Sequence, residues 1–421
     1  MEEQEMFDEI VSRFGQELKC LAREVGQGRV SVAGVELRLQ RLLRETGREA
    51  SGELLEAADA GLCRAQKIHD QRTRTVRTLF GPVDVTRRRT VAGRYPLDEA
   101  LGLEGRHGWT SAVQEAVSLL GAQKSFQSAC ELLEHLLGLE LSPPAAQQIA
   151  ESAGRRAEGI LARHPEPVAP PAAKTLILEV DGCQAPQRDG WHEVKVACLW
   201  PHQQRVKTAS GRGKLLYKQY LASLQEAQAF GWQVWKVTQG WQVGETGGIV
   251  AMGDGAPWIW NLVAEHFPGA IEIVDFYHAV EHLWSTGEAL WGDRTASGAT
   301  RSWVRYYRHH LRRGRVDLVL AAIARAQASV GPLASERQLI VRRNQEYFAT
   351  NQQRMRYALF KRWHLPIGTG AVEGSCKFVV QSRFKLPGCR WSRRGLHAML
   401  ALKQLHLNGR WNELWPFRNA A

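Results

Sequence analysis

The hydrophobic pattern changes period several times along the chain, and each change predicts an element. Over residues 4–64, Glu36, Leu37, Leu39, Leu42 and Leu43 lie in a leucine–arginine stripe at helical spacing, and no alternating segment interrupts it. Residues 74–91 (RTVRTLFGPVDVTRRRTV) place two β-prone arms around Gly81–Pro82, which predicts a hairpin. From 110 to 164 three helical pieces follow. Ser142 is a suitable N-cap, Pro143 suits the first helical position, and a short Gly138–Leu141 turn gives helix-turn-helix spacing. Four prolines within HPEPVAPPAA (164–173) mark a linker.

Beyond the linker the segments shorten and become more apolar. KTLILEVDG (174–182), WHEVKVACLW (191–200), GGIVAMGDG (247–255) and AIEIVDFYH (270–278) read as strands. Residues 214–245 are expected to be largely helical, as is APWIWNLVAEHFPG (256–269) between the last two strands. Interleaved strands and helices define a mixed α/β sheet. A helix-prone, basic stretch then runs from Ala279 to about Trp363.

Composition narrows the class. At roughly 100–200 residues per domain, 421 residues predict two to four domains. The chain is 44 % apolar and 23 % charged, a globular balance. No 18-residue apolar run is present, so no membrane span is expected. The acidic opening lacks the continuous apolar core of a secretory signal. Cys20, Cys63, Cys130, Cys183, Cys198, Cys376 and Cys389 are scattered without a CxxC pair, which fits a reducing, cytoplasmic location better than a disulfide framework.

The net charge is +12, yet residues 1–64 carry −4, so the remainder carries +16. That asymmetry points to a polyanion, nucleic acid before membrane. Two stretches carry the excess. RSWVRYYRHHLRRGR (301–315) offers Arg305, Arg308, Arg312 and Arg313. KFVVQSRFKLPGCRWSRRG (377–395) offers Lys377, Arg383, Lys385, Arg390, Arg393 and Arg394 among aromatic residues. The hairpin arginines Arg72, Arg74, Arg77, Arg87, Arg88 and Arg89 suit either a phosphate-contacting ribbon or a solvated face.

Asp181 and Asp254 each end an apolar strand and precede a glycine, the position where open α/β sheets hold ligands. Two carboxylates at one rim repel unless a cation intervenes, and a divalent metal with oxygen ligands is the economical partner. Gly182 and Gly255 are expected to leave room there for a phosphate or metal. Glu373, in GTGAVEGSCKF (368–378), stands at the expected start of a helix, and its charge alone would also suit the helix dipole. Asp275 and His278 suit an orienting role. His278 and His282 share a helix face without a third zinc ligand of suitable spacing.

GDGAPWIWNLVAEHFPGAIEIVDFYHAVEHLW (253–284) and LPIGTGAVEGSCK (365–377) resemble the DDE transposases of bacterial insertion sequences, most closely the ISKra type related to the Mutator-like superfamily. VDG…WHEVKVA (180–197), YPLDEALGL (95–103) and RMRYALF (354–360) fit the same pattern, so the resemblance spans about residues 72–415. It implies an α/β, ribonuclease-H-like catalytic core with a helical insertion, preceded by a mostly helical N-terminal region with a β-hairpin. The catalytic, metal-binding triad would be Asp181, Asp254 and Glu373, with Mg²⁺ (or Mn²⁺) as cofactor and Asp275 and His278 as the accessory D-x-x-H motif.

The implied activity is metal-dependent cleavage and strand transfer on double-stranded DNA, acting at terminal inverted repeats and target DNA as at least a dimer. The implied layout is a helical region (1–64), a hairpin with a helix-turn-helix-like DNA-binding region (65–164), a linker (165–173), the first part of the core (174–278), the insertion (279–363) and the end of the core with a basic tail (364–421). The competing class is a non-catalytic DNA-binding protein derived from a transposase. A glycosidase, suggested by 15 tryptophans and paired carboxylates, fits the basic surface poorly.

Overall fold

In the computed structural model the described residues are 2–103, 108–211, 213–241, 243 and 248–419. They form a mixed α/β protein in two compact units, Met1–Ala153 with Trp415–Ala421, and Gly154–Leu414.

The first unit opens with two long helices, α1 (Glu2–Gly26) and α2 (Val32–Cys63), the latter capped by Ser31 accepting from the Gly34 amide. Strands β1 (Ile68–Thr78) and β2 (Gly81–Thr90) pair antiparallel. The connection is Leu79–Phe80, so Gly81 and Pro82 open the second strand instead of forming the turn, and Gly81 takes a positive φ of 120°.

Most of the hairpin's arginines are engaged by acids of their own unit. Arg74 and Arg87 both pair with Asp98 of α3 (Pro96–Ala100), Arg88 pairs with buried Asp59 of α2, and Arg72 and Arg89 reach Asp70. Helices α4 (Ser111–Gly121), α5 (Phe126–Leu137) and α6 (Pro143–Arg163) follow. Val113, Val117, Cys130, Leu133, Leu139 and Ala146 form their core, and Gly138 closes α5 in the left-handed conformation.

The second unit is built on a five-stranded sheet. Its long members are β3 (Leu176–Gln187) and β4 (Gly190–Pro201), paired antiparallel from Leu176↔Pro201 to Gln187↔Gly190. After the short pair β5 (Arg205–Lys207) and β6 (Gly213–Leu215) comes β7 (Gln219–Ser223), antiparallel to β4. This corrects the helical expectation for 214–245. QYLAS is a fully buried edge strand, and helix begins only with α7 (Ala227–Gln239); residues 244 and 245 lie outside the described set.

Next come β8 (Ile249–Gly253), α8 (Pro257–His266) and β9 (Ile271–Val274), with β8 parallel to both β3 and β9. The order is β7-β4-β3-β8-β9. The strand ends at Val274, four residues before the end of the expected 270–278 segment, and Asp275 stops it. This aspartate is the N-cap of α9 (Phe276–Trp291), its carboxylate accepting from the His278 amide at 2.7 Å, so Phe276–His278 are helical.

Helices α10 (Gly298–Arg312), α11 (Val316–Val330), α12 (Ser335–Thr350) and α13 (Tyr357–Arg362) make the helical stretch before Glu373. The chain then re-enters the core as the six-residue α14 (Gly370–Ser375), a π-helical turn (Cys376–Gln381) and α15 (Ser382–Phe384). The end of this unit is α16 (Arg393–Leu407) and α17 (Trp411–Leu414). No described helix is long and apolar enough to cross a membrane.

Candidate functional site

Parallel pairing between β3 and β8 stops at Glu179↔Met252, while β3 and β4 continue together to the hairpin at Gln187↔Gly190. Asp181 therefore lies within β3, not at its end, but it lies just where the strand leaves its parallel neighbour. Asp254 directly follows β8. The two aspartates share one rim of the sheet because one strand overhangs the other.

Each aspartate is held by short local contacts. One Asp181 oxygen accepts from the Gly182 amide (2.7 Å), and the other takes the Cys376 thiol (3.6 Å). Asp254 accepts from the Ala256 amide (2.8 Å) in an Asx-type turn, and its main-chain carbonyl accepts from the Tyr347 hydroxyl (2.9 Å).

The two glycines do not leave space for a ligand, contrary to the sequence expectation. A Cβ on Gly182 would stand 2.4 Å from the Glu193 carboxylate, and one on Gly255 would stand 2.5 Å from the Tyr347 ring. Protein side chains already fill both places.

Glu373 reaches solvent from the first turn of α14. Two buried carboxylates hold that turn. Asp275, 1 % exposed, accepts from both the amide (2.5 Å) and hydroxyl (2.8 Å) of Thr369, the residue before the helix. Glu179, also 1 % exposed, accepts from the Val372 amide (2.8 Å) and the Trp200 indole (3.0 Å). Asp275 is thus a fully occupied anchor between α9 and α14.

The electrostatics tie the acids together. Burial raises the pKa of Asp181, and the negative charge of Asp254 raises it further. Partial burial, then Asp275 and Asp181, raise that of Glu373, while Lys377 and His278 oppose the rise. His278 is exposed, and its nearness lowers the pKa of both Asp181 and Glu373. Burial pushes Glu179 up to about 7. His282 is held down by burial; it bonds Asn344 through Nδ1 (2.7 Å) and stacks on Tyr347 at 3.6 Å.

The donor set is hard oxygen, suited to Mg²⁺ or Mn²⁺, and its mutual repulsion is what a divalent cation offsets. Among the described residues no three His, Cys, Asp or Glu side chains stand close enough together to hold a metal ion. The pair of aspartates matches the one or two carboxylates that magnesium takes alongside water and phosphate oxygens.

Of the basic candidates, Arg305, Arg308, Arg312 and Arg313 are exposed on or just after α10, and Arg308 lies over the ring of Phe276, next to Asp275. Lys377, Arg390, Arg393 and Arg394 are exposed, and Lys385 is half-buried beside Trp191. Arg383 is 1 % exposed, packed against Trp391, and does not reach the surface.

Sequence reasoning missed Glu179, Cys376 and Tyr347 as parts of this site. Glu179 did leave a signal: it is the one charge within the apolar run Leu176–Val180, on the same strand face as Asp181.

Sheet, overhanging strand and clustered carboxylates define a mixed α/β protein with an acidic rim. Residues 27–290 match the model of the uncharacterised protein family UPF0236, more than half of the chain, and the protein belongs to that family. That match includes Asp181, Asp254, Asp275 and His278 and stops before Glu373. The chain is also 24 % identical over 409 residues to a Streptococcus gallolyticus protein described as "UPF0236 protein in vanSb 3'region", covering 91 % of this chain and 86 % of that relative.

Proposed function

We propose that this protein is a DDE-type transposase, a metal-dependent enzyme that cleaves and rejoins DNA phosphodiesters on a ribonuclease-H-like core. One observation carries the reading: Asp181 and Asp254 meet at the rim of adjacent parallel strands and repel one another, while a separate helix brings Glu373 into the same electrostatic field. The sheet supports it, since three antiparallel strands followed by two parallel ones, in the order β7-β4-β3-β8-β9, are compatible with such a core. So does the helical stretch α9–α13 between the second aspartate and the glutamate.

Asp181 and Asp254 would hold Mg²⁺ or Mn²⁺, and Glu373, which does not stand close enough to complete a three-carboxylate site in this structure, would have to move toward them to serve as the third ligand. A metal held there would supply activation of a water or 3′-hydroxyl and charge neutralisation at the phosphate. The chain's own groups do the remainder. Arg308 and the other exposed arginines of α10, with Lys377 and Arg394, neutralise backbone phosphates. Asp275 keeps the Glu373 helix in register. His278, whose nearness lowers the pKa of both Asp181 and Glu373, has an orienting role at the acidic rim. Partners in this reading are the element's terminal inverted repeats and target duplex DNA, bound by two or more copies of the chain.

The test is a cleavage and strand-transfer assay with Mg²⁺ on duplex DNA from the flanks of the encoding gene. Wild-type protein is expected to nick and join. Asp181→Asn, Asp254→Asn and Glu373→Gln are expected to abolish both steps while DNA affinity stays near wild type. DNA binding that falls steeply with salt, without metal-dependent nicking, would instead identify a non-catalytic DNA-binding protein.

A further inference from the structure

We infer that Glu179 is a positioning residue for Glu373: from within β3 it sets how far the glutamate-bearing helix stands from Asp181. The inference rests on reading Asp181, Asp254 and Glu373 as acids of one site.

Side chains two apart on a strand share a face, so Glu179 and Asp181 point to the same side of the sheet. Glu179 accepts the amide of Val372, the residue immediately before Glu373. The route from Asp181 to Glu373 therefore runs along two residues of β3, across a single hydrogen bond, and along one residue of α14. Two other links bound the same segment: Asp275 accepts from Thr369 just before the helix, and the Cys376 thiol donates to Asp181 just after it, so Glu179 is the link nearest Glu373 itself. α14 runs on without a break into the π-helical turn and α15, and the Val372 amide, one of those that a helix start leaves without an internal partner, goes to Glu179.

The rest of the strand shows what this costs. Leu176, Ile177, Leu178 and Val180 are fully buried and apolar, and a carboxylate among them loses its hydration. Hydrogen bonds from the Trp200 indole and the Val372 amide offset that loss and orient the two oxygens in different directions. A valine or isoleucine would fill the strand but leave the Trp200 indole and the Val372 amide without acceptors, so the acid serves these two hydrogen bonds and not the packing. Cys376 closes the arrangement at the far end of α14, its thiol donating to Asp181, so Glu373 is held between two links to the strand that carries the first aspartate.

The experiment compares full-length wild type with Glu179→Gln, which keeps the size but turns an N–H group toward an incoming N–H donor. Three measurements are made: hydrogen exchange of the 369–376 segment, binding of Mn²⁺ alone, and DNA cleavage. Faster exchange confined to that segment is expected, with Mn²⁺ affinity and kcat each falling ~10- to 100-fold, the range for loss of a ligand-orienting partner, at unchanged KM for DNA.

A purely structural Glu179 would lower the melting temperature yet leave kcat and Mn²⁺ affinity of the folded protein at wild type, and that result overturns the inference. If Glu179→Gln fails to fold, Trp200→Phe removes only the indole donor that orients Glu179. The same pattern at smaller size is expected, and wild-type kcat and Mn²⁺ affinity there would overturn the inference too. Wild-type protein that neither binds Mn²⁺ nor cleaves DNA would sink the site reading itself. An active wild type matched by both variants sinks only the role of Glu179.

Discussion

The Tyr347 hydroxyl donates to the main-chain carbonyl of Asp254 at 2.9 Å, and its ring occupies the space that Gly255 leaves by having no side chain. A residue of α12 thereby grips the loop carrying the second aspartate. The grip depends on the glycine twice, because Gly255 also has φ +108°, a conformation that side chains strain.

Gly255→Ala is therefore expected to destabilise the fold by about 2–3 kcal/mol, combining strain with displacement of the phenol ring. Tyr347→Phe keeps the ring and loses one hydrogen bond, for about 1 kcal/mol. Urea unfolding of both variants checks the pair. A Gly255→Ala loss no larger than that of Tyr347→Phe would mean the ring yields freely.

The elements legible in the sequence were those whose own pattern dictates them. Val250–Met252 is an apolar run and Leu176–Val180 one broken only by Glu179, both of strand length, and Asp254 comes two residues after the first. QYLAS was not legible, because five residues of mixed polarity are buried on both faces through contacts from α16 that no local pattern announces. The true length of β3 was hidden for a related reason. After Asp181 the strand continues through Gly182, Pro186 and Gln187, poor strand formers held by antiparallel pairing to β4. The site divides likewise: the aspartates were marked by strand ends, whereas Glu179, Cys376 and Tyr347 enter through contacts 93 to 195 residues apart in sequence.

Those contacts from α16 yield a second prediction. Asn408 both donates to and accepts from the backbone of Tyr220, and Gln404 does the same for Ala222. One helical turn apart, the two amides occupy the outward-facing hydrogen-bonding groups of the edge strand, as another strand would. Gln404→Leu is expected to cost about 1–3 kcal/mol, because the Ala222 amide and carbonyl lose their partners in a buried position. Asn408→Ala should cost less, its site being half-buried, and the double variant should self-associate through the uncovered β7. Chemical denaturation and light scattering test this; a double variant that stays monodisperse and as stable as wild type would refute the capping role.

The last prediction concerns a buried cation outside the acidic rim. Lys403 on α16 is 5 % exposed, donates to the Ser382 hydroxyl (2.7 Å) and lies near the buried Arg383. Burial first, and repulsion by Arg383 second, push its pKa down to about 8. An unfolded lysine titrates near ~10.4, so between about pH 8 and 10.4 the unfolded chain binds the extra proton and stability rises with pH. Below pH 8 both states are protonated, and the folded state bears the whole cost of a buried charge, on the order of 3 kcal/mol at most. Lys403→Met fills similar volume without charge and is expected to stabilise the protein at pH 7 by about 1–3 kcal/mol. That advantage should shrink steadily from pH 8 upward and vanish near ~10.4, where wild-type lysine is neutral in both states. Denaturant unfolding of both proteins across this range isolates Lys403 as their difference, since every other titrating group is common to the two. A methionine variant less stable than wild type at pH 7 would mean that the bond to Ser382 outweighs desolvation of the ammonium.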